Sequence, residues 1–200
     1  MLAALQSELP GSAVKHMDVS KPDEAIELFH GLVEEMGGAD MVVISAGTGF
    51  INPELEWLKE KTTIDVNVIG FCAVANAAVK YFIGRGQGHL VAVSSVAALF
   101  GSHHAPAYNA SKAFVSNYLE GLRGKVRTMR LPVTITDIRP GFVDTAMAQN
   151  SFIFWAASPE KAARQIYEAI RKKKACAYVT RRWRLAAWLL KIAPRSLLYR

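Results

Sequence analysis

Two hundred residues, 51% hydrophobic and 20% charged, suffice for one globular domain with a buried core. That composition excludes a disordered chain, and two cysteines exclude a disulfide-built scaffold. The net charge of +7 is uneven: ten basic residues lie beyond residue 170 and no acid follows Glu168, leaving 14 basic against 17 acidic side chains in residues 1–170. A mildly acidic body with a basic end argues against a nucleic-acid binder. Cys72 and Cys176 stand in apolar surroundings and are expected to be buried free thiols. The first eight residues lack the basic flank and long apolar stretch of a signal peptide, and no apolar run approaches the roughly 20 residues that span a bilayer. A cytoplasmic protein is the expectation.

The chain alternates short apolar runs with longer helical patterns. Residues 13–17 are strand-like and end at Asp18; residues 22–36 open on Pro22 with acids behind it and repeat apolar positions at Ile26, Phe29 and Val33, a helix start followed by helical periodicity. Residues 40–45 form a continuous apolar run, as in a strand covered on both faces. A helical region reaches Phe82 and ends in the glycines from Gly84 to Gly88. A second such strand covers 89–94, a helix 107–128, a strand 132–138, a helix 159–173 and a last strand 175–179. This alternation predicts an α/β fold, a Rossmann-like doubly wound parallel sheet with helices on both faces, over residues 1–180. Residues 181–200 are set apart as a basic amphipathic tail.

The sharpest chemical signal is Tyr108-Asn109-Ala110-Ser111-Lys112. A spacing of four puts phenol and ammonium on one helical face, and a nearby cation is expected to lower the phenol's pKa from about 10. Such a pair alone is more often a surface contact, but this one has company. Ser95 ends the preceding strand thirteen residues upstream, where parallel strands deliver ligand-binding groups. Asn67 interrupts an apolar helical stretch, where an amide otherwise hydrogen-bonds locally. Pro140-Gly141-Phe142-Val143-Asp144-Thr145 follows the next strand, where a loop closes over a ligand.

With these residues in this order, the chain resembles the short-chain dehydrogenase/reductase family in its compact single-domain branch, over about residues 1–180. Asp18-Val19 resembles the family's acidic pair beside the adenine, and Ile44-Ser45-Ala46-Gly47 its Asn-Asn-Ala-Gly, with Ile and Ser in place of the asparagines. Asn67, Ser95, Tyr108 and Lys112 match its catalytic tetrad, and Pro140, Gly141, Val143 and Thr145 fall in the segment that lines the nicotinamide. The resemblance implies an NAD- or NADP-dependent oxidoreductase interconverting a carbonyl and an alcohol, with the choice of cofactor left open. Tyr108 is then the proton donor or acceptor, Lys112 its partner and the ribose ligand, Ser95 the hydrogen-bond partner of the substrate oxygen, and Asn67 the holder of a water that links Lys112 to solvent. It also implies a homo-oligomer joined through the helices 57–82 and 107–128.

One departure is large: the sequence contains no Thr-Gly-x-x-x-Gly-x-Gly loop to lay a pyrophosphate on a helix N-terminus. A first βαβ unit of roughly 40 residues is expected to be missing, as in an incomplete gene product. That would leave strand 13–17 without a partner and strand 40–45 with an open edge. The alternative is a non-catalytic relative kept as an interaction or membrane-surface module; an epimerase or dehydratase of the larger branch would need a longer C-terminal domain. Phe152, Phe154 and Trp155, in the loop expected to cover the substrate, suit an apolar substrate. His103-His104 has no further ligand at metal spacing, so no metal is expected. In the tail, Trp183, Trp188 and interspersed arginines suit a helix lying peripherally on a membrane surface.

Overall fold

Valine, isoleucine and leucine recur in the first three strands, whose buried positions lie in a parallel sheet with helices on both faces. A computed structural model describes residues 6–9, 11–144 and 155–192, with side chains as far as residue 189. Helix α1 (Pro22–Glu35) begins at Pro22, carries Asp23 and Glu24 at its positive end, and buries Ala25, Phe29 and Val33 at four-residue spacing. Strand β1 (Met41–Ile44) follows. A continuous helical stretch then runs from Trp57 to Arg85, made of α2 (Trp57–Ile64), a π-helical segment (Asp65–Gly70) and α3 (Phe71–Arg85). Next come β2 (Gly88–Val93), a 3₁₀ turn (Val96–Leu99), α4 (Pro106–Thr128), β3 (Val133–Pro140), α5 (Pro159–Arg171), β4 (Cys176–Val179) and α6 (Arg182–Ile192).

The strands lie in the order β1-β2-β3-β4, all parallel, with Val43 beside Val91, Val91 beside Thr136 and Ile138 beside Ala177. Successive strand residues face opposite sides. Leu90, Ala92, Val133 and Ile135 meet Phe29, Phe71, Val74, Phe82 and Leu119 from α1, α3 and α4. Val91, Ile138, Ala177 and Val179 face the other way and meet Ala162 and Ala169 of α5. Helices therefore cover both faces, as the sequence predicts. The stretch Trp57–Arg85 is long and apolar enough to cross a membrane, yet half of its most apolar window is buried inside the fold, so the core accounts for its composition.

Two expectations are corrected. Residues 13–17 form no strand; local β propensity is too weak to hold a strand that has nothing to pair with. Met17 and Val19 pack at the rim of the core instead. Cys176 is exposed, because β4 starts at the sheet's outer edge, and Cys72 is half-buried. At the opposite edge β1 pairs only with β2 among the described residues, and its Met41 and Val43 are nearly half exposed.

Candidate active site

The carboxyl ends of β1, β2 and β3 and the first two turns of α4 converge on one point. Pro106 starts α4, and Asn109, one turn in, donates from Nδ2 to the carbonyls of Ala97 (3.1 Å) and Phe100 (2.9 Å). That bond pair ties the helix start to the turn after Ser95 and so sets Tyr108 against Ser95. The Ser95 hydroxyl accepts from the Ala97 N–H at 3.1 Å, donates to the Pro140 carbonyl at 3.4 Å, and is also hydrogen-bonded to the Tyr108 phenol. Four residues on, the buried Lys112 Nζ donates to the Val93 carbonyl at 3.1 Å and stands 5.8 Å from the centre of the Tyr108 ring.

Asn67 reaches the same place from the π-helical segment. Only 1% exposed, it accepts from the Thr48 N–H (2.8 Å) through Oδ1 and donates through Nδ2 to the Thr48 carbonyl (2.7 Å) and the Ser111 hydroxyl (3.0 Å). A π-helical turn is uncommon and collects at functional sites; here it carries the one amide that locks the loop after β1 to α4. The Asn67 partner is thus the loop backbone of Thr48 and not the amide's own helix. The structure brings all four tetrad positions into one hydrogen-bonded and packed group.

The electrostatics differ from the sequence expectation. Burial pushes the Tyr108 phenol up, and the Ser95 hydrogen bond offsets only part of that rise. The Lys112 ammonium stands 5.8 Å from the ring centre, and burial of the phenol dominates. Burial also lowers Lys112 to about 8, against a smaller opposing pull from Asp137.

Glycines give the group its room. At Gly47 a Cβ would stand 3.2 Å from Lys112 Nζ and 3.4 Å from Asn67 Oδ1; at Gly49 it would lie 2.5 Å from Cδ2 of the rigid Tyr108 ring. Ser45 and Ala46 are exposed at the carboxyl end of β1. Asp18, also exposed, holds a turn by accepting from the Ser20 N–H (3.0 Å) and hydroxyl (2.7 Å), bonds that keep its carboxyl below the usual range. Val19 crosses over Gly70, the end of the π segment, so closely that a Cβ there would lie 2.3 Å from the Val19 carbonyl oxygen. Val19 therefore packs on the π segment three residues from Asn67, and Gly47 lies against Lys112 and Asn67.

Pro140, whose carbonyl accepts from Ser95, adjoins this group, and Gly141 and Val143 follow it in the chain; Thr145, Phe152 and Phe154 lie outside the described residues. Val143 bridges to Ala157, and Asp144 N–H to Ala157 carbonyl and Ala157 N–H to Phe142 carbonyl, both 3.0 Å, close the base of the loop between them. The sequence does not reveal what holds that base. The buried Trp183 of α6 packs on Gly141, where a Cβ would fall 2.0 Å from its Nε1, and meets the rings of Phe142 and Trp155 edge-on. Arg182 donates to the carbonyls of Trp155 and Ala156 and lies 5.5 Å over the Trp155 ring. The clefts around Tyr178, Arg181 and Arg184 share no residue with the tetrad. Thr48, Gly49, Asn109 and Trp183 escape sequence reading because each acts through a backbone contact formed only on folding.

Residues 1–153 match the profile of the family described as short chain dehydrogenase. An uncharacterized oxidoreductase of Myxococcus xanthus is 39% identical over 158 residues, which cover 76% of this chain and 62% of that protein. One of Mycobacterium tuberculosis is 33% identical over 143 residues, covering 70% and 55%. The chain thus spans less than two thirds of the length of these curated relatives. Two crystal structures of short-chain dehydrogenases, one from Burkholderia phymatum in complex with NAD and one from Burkholderia cenocepacia in complex with NADP, are similar in fold. Their TM-scores are 0.81 at 20% and 19% identity, covering 94% and 96% of this chain and 78% and 80% of theirs.

Proposed function

The chain belongs to the short-chain dehydrogenase family, and we propose that it is an oxidoreductase interconverting a carbonyl and an alcohol on an apolar substrate with NAD or NADP. The observation that carries this reading is the Tyr108–Lys112 pair on the buried side of α4, with Ser95 hydrogen-bonded to the phenol and Asn67 locking the adjoining loop. The residues present suit the nicotinamide-ribose end of such a cofactor: the space in front of Gly47, open only because it lacks a Cβ, lies beside Lys112 Nζ. Tyr108 and Lys112 would hold that ribose, Ser45, Ala46 and Gly47 would border it, Pro140, Gly141, Val143 and Thr145 would line the nicotinamide, and Asp18 and Val19 the adenine. When bound, the nicotinamide supplies or accepts the hydride.

The protein's own part is proton transfer and orientation. Ser95 Oγ directs a hydrogen bond at the substrate oxygen where negative charge grows, and Tyr108 Oη delivers the proton to that oxygen in reduction or removes it in oxidation. Burial raises the phenol and so keeps Tyr108 protonated near neutral pH, the form that donates in reduction. In reduction Lys112 recharges the phenol with a proton drawn from solvent along the loop that Asn67 holds, and in oxidation the proton leaves by the same route. Phe142, Trp155 and Trp183 present an apolar wall at the base of the loop. The experiment is NADH- and NADPH-dependent reduction of a panel of aldehydes and ketones. Medium-chain and aromatic carbonyls are expected to turn over at least tenfold more efficiently than short polar ones, and the reverse order contradicts the apolar assignment.

Two contacts complete the proposal. Trp57, Leu58, Ile64, Ile69 and Phe114 leave apolar surface exposed on α2, the π segment and α4, which supports a homo-oligomer joined through those helices. On α6, Trp183 and Ala187 face the body while Leu185, Trp188 and Leu189 face outward among exposed arginines, which supports peripheral contact with an anionic membrane. Vesicles of anionic phospholipid are expected to sediment the full chain and to release a chain ending at Thr180; equal sedimentation contradicts membrane contact through the tail.

A further inference from the structure

Asp137 is the carboxylate that the mechanism above leaves unused, and it is 1% exposed. It lies on β3 beside Ala92 of β2, on the sheet face that also carries Ile135 and Leu90 and is covered by α3 and α4. Two side chains hold its charge, and a third extends the network to β4. The buried Ser94 hydroxyl donates to Asp137 Oδ1 at 2.5 Å, Arg139 Nε donates to Oδ2 at 2.7 Å, and Arg139 Nη1 donates onward to the Tyr178 hydroxyl of β4 at 3.2 Å. A buried carboxylate is costly unless its oxygens are satisfied, and here both are.

Ser94 is the pivot. Its N–H donates to the Ile138 carbonyl at 2.8 Å while its side chain is held by Asp137. The peptide that joins it to Val93 supplies the carbonyl that receives the Lys112 ammonium, and the next residue is Ser95. We propose that Asp137 is a positioning residue for proton transfer: through Ser94 it fixes the β2 terminus from which both Ser95 and the Lys112 acceptor hang, and it places a negative charge beneath the Lys112 ammonium. The titratable and charged groups around Lys112 are Tyr108 on its own helix and Asp137 on β3, itself paired with Arg139; the π segment and the loop after β1 contribute the uncharged Asn67 and Gly47. Asp137 is thus the one countercharge among these groups, opposing the burial that lowers Lys112. An ammonium left without it would be largely neutral at physiological pH and a poorer partner for the phenol.

This inference rests on Lys112 belonging to the proton-transfer site, and its test reads Lys112 directly. The Lys112 Nζ resonance is followed by ¹⁵N NMR against pH in the full chain, identified by its loss in Lys112→Arg. Asp137→Asn is expected to lower the Lys112 midpoint by about one unit, the low end of the effect of an opposite charge at close range. Because Asp137→Asn leaves Arg139 buried and unpaired, Asp137→Asn/Arg139→Met is measured as well, a double variant that removes both members of the pair and protects the fold. It is expected to lower the midpoint by a smaller amount. A midpoint unchanged or raised in whichever variants fold overturns the proposal, while leaving the effect of Tyr108 substitutions on turnover untouched.

Discussion

Tyr108→Phe is expected to reduce carbonyl reduction by roughly 10³-fold or more while leaving circular dichroism and melting temperature within error of wild type. The phenol's ring packs against Gly49 and beside Lys112, and a phenylalanine keeps those contacts. Only the hydroxyl is lost, with its hydrogen bond to Ser95 and the proton it delivers. General acid catalysis by a placed side chain contributes about 10²- to 10⁴-fold, and no other side chain of the tetrad can replace the proton at the same point. Steady-state kinetics with a saturating apolar aldehyde checks this. A loss of less than about tenfold would remove Tyr108 from the mechanism.

Lys112→Met is expected to do the opposite to stability. Burial lowers the lysine from 10.5 to about 8, so between those values the unfolded chain binds a proton that the folded chain has released. Stability contributed by this group therefore rises with pH across that window, and the full penalty for burying the charge is present below about pH 8. At 1.36 kcal/mol per unit, the penalty is about 3 kcal/mol. A methionine of similar length fills the same space without it, although it forfeits the bond to the Val93 carbonyl. The variant should be the more stable by about 2 kcal/mol at pH 7 once that lost bond is set against the relief, and the advantage should close as pH rises toward 10.5. Urea melts at several pH values check the sign. A variant less stable than wild type at pH 7 would mean that Lys112 is held for structure and not against it. A stable inactive variant would mark the strain that function imposes on this helix.

Much of the fold is legible in the residues. The apolar runs at 40–45, 89–94, 132–138 and 175–179 sit within two residues of the observed β1 to β4. Pro22, Pro106 and Pro159 mark helix starts, since a residue without an N–H fits where no partner exists. That Tyr108 and Lys112 share one helix is legible from their spacing alone. Residues 13–17 show the limit: alternation suggests a strand, yet a strand exists only where a neighbour offers its hydrogen bonds. The direction of the Tyr108 shift shows another, because spacing places two groups on one face without saying how deeply the fold buries the phenol. Nor does a basic, aromatic tail announce that Trp183 turns inward onto Gly141 while Trp188 turns out.

The central claim is that Asn67, Ser95, Tyr108 and Lys112 make a working nicotinamide-ribose site. Titration of the purified 200-residue chain with NADH and NADPH, followed by tryptophan fluorescence, tests it most directly, since Trp183 lies against Gly141 at the proposed nicotinamide wall. Saturable quenching by at least one of the two, weak because no glycine-rich loop in this sequence holds the pyrophosphate and weakened at least tenfold further in Lys112→Met, is the predicted result. Binding of equal strength in wild type and variant, or no saturable binding of either nucleotide, would contradict it.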